Sequence, residues 1–185
     1  MTSGSLSGAV DDESLLVVAA RAGDENAFAT LWATAQRPAF GVCYHLTENR
    51  ADALDALQDT QLAAWKGLAT FEGKAPFRAW VLAIARNAAL AVIRRRSPAG
   101  GIFDELAEDS VVTDPFEDTV AELTDLRRAM STLPGSHREA LLLWAGGLTY
   151  EQVAASIGVP LNTVKVWIHR ARKKLQSELA EPGLA

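Results

Sequence analysis

The sequence predicts an all-α protein with two small helical domains joined by an acidic, flexible linker, the second domain containing a helix-turn-helix. Apolar residues recur at helical spacing along most of the chain, and nowhere do polar and apolar residues alternate over the length of a strand. Residues 97–122 interrupt this pattern with eight acidic residues and no basic ones. The two domains are therefore expected at residues 13–96 and 123–181.

The first domain contains the signals of several consecutive helices. A first helix should end at Gly23, and Asp24 can cap the second, because a short polar side chain accepts hydrogen bonds from the free N–H groups there. Pro38 is predicted to start a third helix, since proline suits the first turn. Two longer helices are expected over residues 51–68 and 77–96, with a Gly/Pro loop at 71–76 between them.

Charge divides the chain into three segments. Residues 13–96 carry ten basic and eight acidic residues, and residues 123–181 carry eight and five. The segment between them begins with Ser-Pro-Ala-Gly-Gly at 97–101 and has a net charge of −8. Such a composition favours an extended or disordered linker. Two helices, through Met130 and over residues 136–145, should open the second domain.

Residues 148–175 predict the helix-turn-helix. Thr149 and Gln152 form a capping box, and Gly158 can end that helix ahead of Pro160. The second helix has one apolar stripe, made of Val164, Ile168, Ala171 and Leu175. Its remaining surface is polar or basic and is typical of a helix that enters the major groove: Asn162, Thr163, Lys165, Val166, His169, Arg170, Arg172 and Lys173. The alternative is a solvated face whose cations match the helix dipole.

Two surfaces of the first domain are candidate binding sites. On the 51–68 helix, Asp52, Asp55, Asp59 and Leu62 share one face, which suits a basic partner or serves solubility alone. The opposite face is predicted to be buried and consists of Leu54, Leu57, Ala64, Trp65 and Leu68. Gln61 lies near the centre of this face, which periodicity alone does not explain.

On the 77–96 helix, the face predicted to be buried consists of Phe77, Trp80, Val81, Ile84, Ala88 and Ala91. Arg78, Arg86, Asn87 and Arg94–Arg96 are expected to face outward beside the loop. Arginine, an amide and aromatic residues are what single-stranded nucleic acid requires. Trp80 could equally be a core residue, and the final arginines a match to the helix dipole. Leu82 and Ile93 allow two interpretations: they are exposed and mark a partner surface, or they pack within the domain.

Composition excludes several classes of protein. The chain has 185 residues, a net charge of −5 and one cysteine, Cys43, so it contains no internal disulfide and fits the cytoplasm. No signal peptide or membrane-spanning run is evident, so we expect no membrane insertion. His45, His137 and His169 have no metal-ligand spacing. We expect no metal, no cofactor and no enzymatic activity.

Three motifs together resemble the bacterial extracytoplasmic-function (ECF) sigma factors of the sigma-70 family. Residues 53–65, ALDALQDTQLAAW, resemble the family pattern A-E-D-x-x-Q-E-T-F-x-x-A-W. Residues 77–87 match F-R-x-W-x-x-x-I-A-R-N, and residues 133–139 match L-P-x-x-x-R-E ahead of the helix-turn-helix. Leu54 and Gln61 depart from the pattern, as do Val166 and Trp167, where Ser and Arg are common.

The resemblance implies a factor that binds core RNA polymerase and promoter DNA and is controlled by an anti-sigma factor. Asp52, Asp55, Gln58, Asp59 and Leu62 would contact the polymerase. The −10 element would be captured by Phe71, Lys74, Arg78, Trp80, Arg86 and Asn87, and the −35 element would be read by the basic face of the last helix. The alternative is a sigma-like mimic that sequesters an anti-sigma factor without reading promoters. A simple helix-turn-helix repressor would leave the first domain unexplained.

Overall fold

The computed structural model describes residues 5–96 and 122–180, and within those ranges it consists of helices without strands. The chain divides into two compact units, with the division between Glu105 and Leu106. Unit 1 contains α1 (Ser5–Arg21), α2 (Glu25–Thr47), α3 (Arg50–Gly67), a 3₁₀ turn (Leu68–Thr70) and α4 (Phe77–Arg96). Unit 2 contains α5 (Glu122–Ser131), α6 (Gly135–Ala145), α7 (Tyr150–Ile157) and α8 (Leu161–Ala180). The predicted linker lies outside the described residues, except Glu122, which begins α5.

The second helix is one continuous helix, so the prediction that Pro38 starts a new one is wrong. Asp24 caps α2 as predicted, accepting hydrogen bonds from the N–H groups of Asn26 and Ala27. A proline inside a helix removes one backbone hydrogen bond at a cost of about 3 kcal/mol. Burial on both sides of the proline offsets that cost, since the helix is held against the core before and after it by Leu31, Trp32, Ala35, Ala39, Phe40, Val42 and Cys43.

The third helix buries small residues rather than large ones. Its buried side chains are Ala53, Ala56, Thr60 and Ala64, whereas Leu54, Leu57 and Trp65 are only half-buried. Gln61 is exposed. The face of α3 that is buried is therefore a neighbouring one, and the prediction that the large apolar residues form it is wrong. The physical reason is close packing: α3 lies against both α2 and α4, and small side chains allow helix backbones to approach.

On the fourth helix, too, the buried face differs from the predicted one. Its buried stripe includes Val81, Leu82, Ala85, Ala89 and Val92, while Trp80, Ile84, Ala88 and Ala91 are half-buried. Leu82 is fully buried at 0% exposure, so of the two interpretations it packs within the domain and marks no partner surface, and Ile93 is half-buried. Leu82 is enclosed because α4 packs against α2 as well as α3.

An aromatic cluster fixes the start of α4. Phe77 is fully buried, and its ring meets Phe28 edge-on at 6.4 Å and Phe71 edge-on at 5.9 Å between centroids. Trp80 lies 4.8 Å from Phe71. The backbone N–H of Phe77 donates to Glu13 Oε1 at 2.9 Å, so α1 caps α4. The loop before α4 is therefore anchored at both ends.

The second unit is built as the sequence predicted around α8. Thr149 and Gln152 form both hydrogen bonds of the capping box, and Gly158 ends α7 in the left-handed conformation with φ +80°. Val164, Ile168 and Ala171 are buried, and Leu175 is half-buried. They pack against a core that includes Ala140, Leu143 and Val153 from α6 and α7.

We expect Ile168→Ala to destabilise unit 2 by about 2–5 kcal/mol, because the truncation leaves a cavity in a core where Ile168 is 1% exposed. Urea unfolding with hydrogen exchange of the α6–α8 amides measures this. Leu179→Ala is the matched control at 50% exposure on the same helix, and it should change stability by less than about 0.5 kcal/mol. Equal effects of the two variants would contradict the assigned core.

Candidate nucleic-acid and protein interfaces

The outward side of α8 carries the predicted DNA-reading residues. By the helical period, Asn162, Val166, His169 and Lys173 run along the side opposite the buried Val164. All four are exposed. The row is about three turns long and combines an amide, an apolar side chain, an imidazole and a cation. It can therefore supply hydrogen bonds, apolar contact and charge to one groove.

The two flanks of this row hold further cations beside specific neighbours. Lys165 lies near Glu151 on α7, and its charge helps to lower the pKa of that carboxyl. The larger causes are hydrogen bonds to the carboxylate from the backbone N–H of Glu151 and from the Thr149 hydroxyl. Arg170 lies on the opposite flank near His137 of α6. Thr163, half-buried, shares the Arg170 side. Both cations remain exposed and can reach DNA phosphates.

Arg172 is held against α6. Its guanidinium carbon lies 5.1 Å from the ring centroid of Trp144, which also stacks with Tyr150 at the start of α7, at 6.1 Å. One aromatic pair thus links α6, α7 and the basic helix. Sequence reasoning missed Trp144 and Tyr150, because the three residues come from separate helices. The signal available was only that both aromatics lie close to the predicted turn.

Trp167, one of the departures from the family pattern, is half-buried and packs against α6. Its ring lies 5.8 Å from His137. The pKa of His137 is lowered, first by burial and second by the charge of Arg170. His137 is therefore neutral at pH 7 and adds no charge beneath the basic helix.

The acidic row on α3 already has partners within the chain. Arg96 Nη1 lies 2.6 Å from Asp52 Oδ2, and Arg95 Nη2 lies 3.0 Å from Asp59 Oδ2. Asp55 forms no ion pair within the described ranges and is exposed. An open groove lies between the helices, lined by Asp55, Gln58, Asp59, Val92, Arg95 and Arg96.

These arginine partners were not predicted, because 36 and 44 residues separate them from their aspartates in sequence. Leu62, the apolar member of the predicted row, is 52% exposed. The groove with Leu62 combines exposed carboxylates, arginines and an apolar side chain. A partner surface with mixed charge and an apolar contact point fits it.

In the predicted site for single-stranded nucleic acid, some residues are buried and support the loop, and others are exposed. Phe71 is buried at 5% exposure, so it supports the loop rather than presenting a stacking surface. Trp80 is half-buried over Gly67, where an added Cβ would lie 3.2 Å from the indole. Asn87 is exposed on the same side of α4 as Trp80, two turns further along.

The cations of this site lie on different sides of α4. By the helical period, the exposed Arg78 on the first turn lies opposite Asn87, and the half-buried Arg86 lies on a flank. Lys74 is exposed in the loop and pairs with Glu72. Trp80 and Asn87 therefore share one side of α4 with Arg86 on its flank, a combination of aromatic ring, amide and cation that suits an unstacked base.

The described ranges contain neither a group of metal ligands nor a membrane-spanning helix. There, no group of three His, Cys, Asp or Glu side chains is arranged to hold a metal ion. Among residues 5–96 and 122–180, no helix is long and apolar enough to cross a membrane.

Comparison with known proteins covers both units. Residues 31–98 match the model of sigma-70 region 2, and residues 123–175 match that of sigma-70 region 4. The chain is 32% identical to the ECF RNA polymerase sigma factor EcfG of Rhodopseudomonas palustris, over 78% of this chain and 80% of that protein. It is also 32% identical to the ECF RNA polymerase sigma factor SigE of Mycolicibacterium smegmatis, over 77% of this chain but 57% of that protein.

A solved structure is similar as well. The sigma factor RpoE from Bartonella quintana, in complex with the anti-sigma factor NepR, has a TM-score of 0.62 and 29% identity, over 84% of this chain and 98% of that chain.

We expect unit 2 to lose stability as the pH falls through about 6.5, the ordinary pKa of histidine. The pKa of His137 is lower in the folded state, so acid protonates the unfolded state first and favours unfolding. The stabilising effect is present above that pH and is lost below it. Thermal unfolding of wild type and His137→Gln between pH 8 and pH 5 measures this, with a smaller decrease expected in the variant. Parallel decreases would show that other groups are responsible.

Proposed function

We propose that this chain, which belongs to the ECF group of the sigma-70 family, binds core RNA polymerase through unit 1 and reads promoter DNA with both units. Members of this family are transcription initiation factors that direct the polymerase to specific promoters. The proposal concerns which residues perform each step here, where the chain acts and what controls it. We place it in the cytoplasm, where that polymerase acts.

The observation that carries the proposal is the outward side of α8. An exposed row from Asn162 to Lys173 stands on a well-packed core, flanked by Lys165 and Arg170. Residues with no structural task in the core therefore present hydrogen-bonding and cationic groups on one helix of a helix-turn-helix. A mimic that only sequesters an anti-sigma factor would not need this surface, so the mimic is not favoured. We assign the row and its flanks to the −35 element.

For polymerase binding we propose the groove beside Asp55, Gln58 and Asp59, with Asp52 and Leu62 at its margins. Since Asp52 and Asp59 are paired with Arg96 and Arg95, docking must exchange those ion pairs for contacts with the polymerase. Exposed ion pairs contribute little stability, typically below about 1 kcal/mol. The exchange is therefore inexpensive.

For the −10 element we propose that the loop and α4 capture one unstacked base of the non-template strand. Trp80 supplies an aromatic surface, Asn87 an amide that can hydrogen-bond a base, and Lys74, Arg78 and Arg86 the charge for phosphates. Unstacking a base costs a few kcal/mol, which these contacts must offset. Phe71 positions the loop from beneath.

We propose that residues 97–122 act as an acidic linker that follows the basic channel of the polymerase. Their net charge of −8, within a total of −5, disfavours approach of the free chain to DNA. The free protein should accordingly bind promoters weakly, and the complex with polymerase should bind them tightly. We further propose control by an anti-sigma factor, by analogy with the Bartonella quintana sigma factor that was solved with one.

The experiment that tests the function is run-off transcription with purified core polymerase on genomic promoter fragments, with mapped start sites. Defined starts that depend on this chain support the proposal. Binding to core polymerase with no defined start on any fragment would favour the mimic.

We expect Asn87→Ala to impair promoter opening more than polymerase binding, because Asn87 lies on α4 away from the groove lined by Asp55 and Gln58. Permanganate reactivity of the melted region should fall about two- to tenfold if one hydrogen bond to the base is lost, while core affinity stays unchanged. Asn26→Ala, an exposed asparagine on α2, is the control and should change neither. Equal losses in opening and in core affinity would make Asn87 structural.

We expect Asp55→Asn to weaken binding to core polymerase by about three- to tenfold, since the substitution removes an exposed carboxylate from the proposed docking groove. Fluorescence titration of labelled chain with core enzyme at several salt concentrations measures the effect, which should shrink at high salt. Glu178→Gln on α8 makes the same change of charge in unit 2 and should leave the affinity unaltered. An unchanged affinity in Asp55→Asn would remove Asp55 from the docking surface.

A further inference from the structure

We propose that Val166 determines promoter specificity by contacting the C5 methyl group of one thymine in the upstream element. The inference rests on the proposed entry of α8 into the major groove. It adds the chemical feature of the DNA that the helix selects.

Position is the first support. Val166 is 44% exposed, and it lies opposite the buried stripe of Val164 and Ile168. It therefore does not contribute to the core of unit 2. The other large apolar side chains that are exposed in the described part of unit 2 lie elsewhere: Leu126 on α5 and Leu179 in the last turns of α8.

The surroundings of Val166 are the second support. One turn before it is Asn162, and one to two turns after it are His169, Arg170 and Lys173, all exposed. A single exposed apolar residue needs no explanation on an ordinary surface. Here it sits in the middle of a row of hydrogen-bonding and cationic groups, where the helix would meet the floor of a groove.

The chemistry of the groove then selects the base. The edges of guanine, adenine and cytosine in the major groove present only donors and acceptors, whereas thymine adds a methyl group. Valine can neither donate nor accept a hydrogen bond. Contact with a polar base edge would therefore displace the water that is hydrogen-bonded to that edge without replacing its hydrogen bonds. Beside a thymine methyl, both apolar surfaces are removed from water together. The side chain is also stiff at χ1, so little rotamer freedom is lost on contact.

The experiment uses holoenzyme, assembled from core polymerase and the full chain, to select duplexes from a library with a randomised upstream element. Wild type is expected to select thymine at one position. That thymine is then replaced by uracil, which still pairs with adenine and differs only by the methyl group. We expect affinity to fall about fourfold, the effect of one buried methyl group.

Val166→Ser and Val166→Ala should bind the thymine and uracil duplexes equally well, while Leu179→Ser should discriminate as wild type does. Thermal melting of each variant checks that unit 2 remains folded. If wild type shows no difference between thymine and uracil at any upstream position, or if both Val166 variants keep the difference, the inference is overturned. Selection of an upstream element without methyl dependence would overturn only this inference, whereas failure to select any upstream element would overturn the proposed role of α8 itself.

Discussion

The buried ring of Phe77 is the contact on which unit 1 depends. It is the first residue of α4, it meets aromatic side chains from α2 and from the loop, and its N–H is capped by Glu13 of α1. One residue thus sets the direction of α4, the path of the loop and the position of α1. The side of α4 that carries Asn87 is held in place by this junction, as is the loop that carries Lys74. The surface that we propose for base capture gains from such a support, because it can bind without rearranging.

Several charged groups at the two proposed interfaces are already engaged within the chain. Asp52 and Asp59 pair with arginines of α4, Lys165 lies near Glu151, and Arg172 lies over Trp144. For these groups, binding to a partner exchanges contacts rather than adding them to free side chains. Exchange lowers the net gain from each charge, but it keeps the side chains close to the geometry in which they act.

Local chemistry was readable from the sequence, and packing at a distance was not. Asp24, the Thr149–Gln152 box and Gly158 were predicted correctly because each acts through backbone groups within a few residues. The buried faces of α3 and α4 were predicted wrongly because the large apolar residues were taken as the core. The buried faces of these helices instead include small residues such as Ala56 and Ala85. Periodicity gives the spacing of a stripe, but the neighbouring helices decide which of two adjacent stripes is covered. Pro38 was misread for the same reason, since the tertiary contacts that hold α2 together come from other parts of the chain.

Cys43 gives unit 1 a property of practical use. Its thiol is fully buried and donates to the carbonyl of Ala85 at 3.7 Å, and burial raises its pKa to about 12. At neutral pH the folded chain therefore presents almost no thiolate to oxidants or alkylating reagents. Modification of the only cysteine must wait until the helices around it separate, so its rate reports the opening of unit 1. A second cysteine placed on the surface can be labelled selectively while the native one stays protected, which allows distances to the polymerase to be followed by fluorescence in the otherwise unaltered chain.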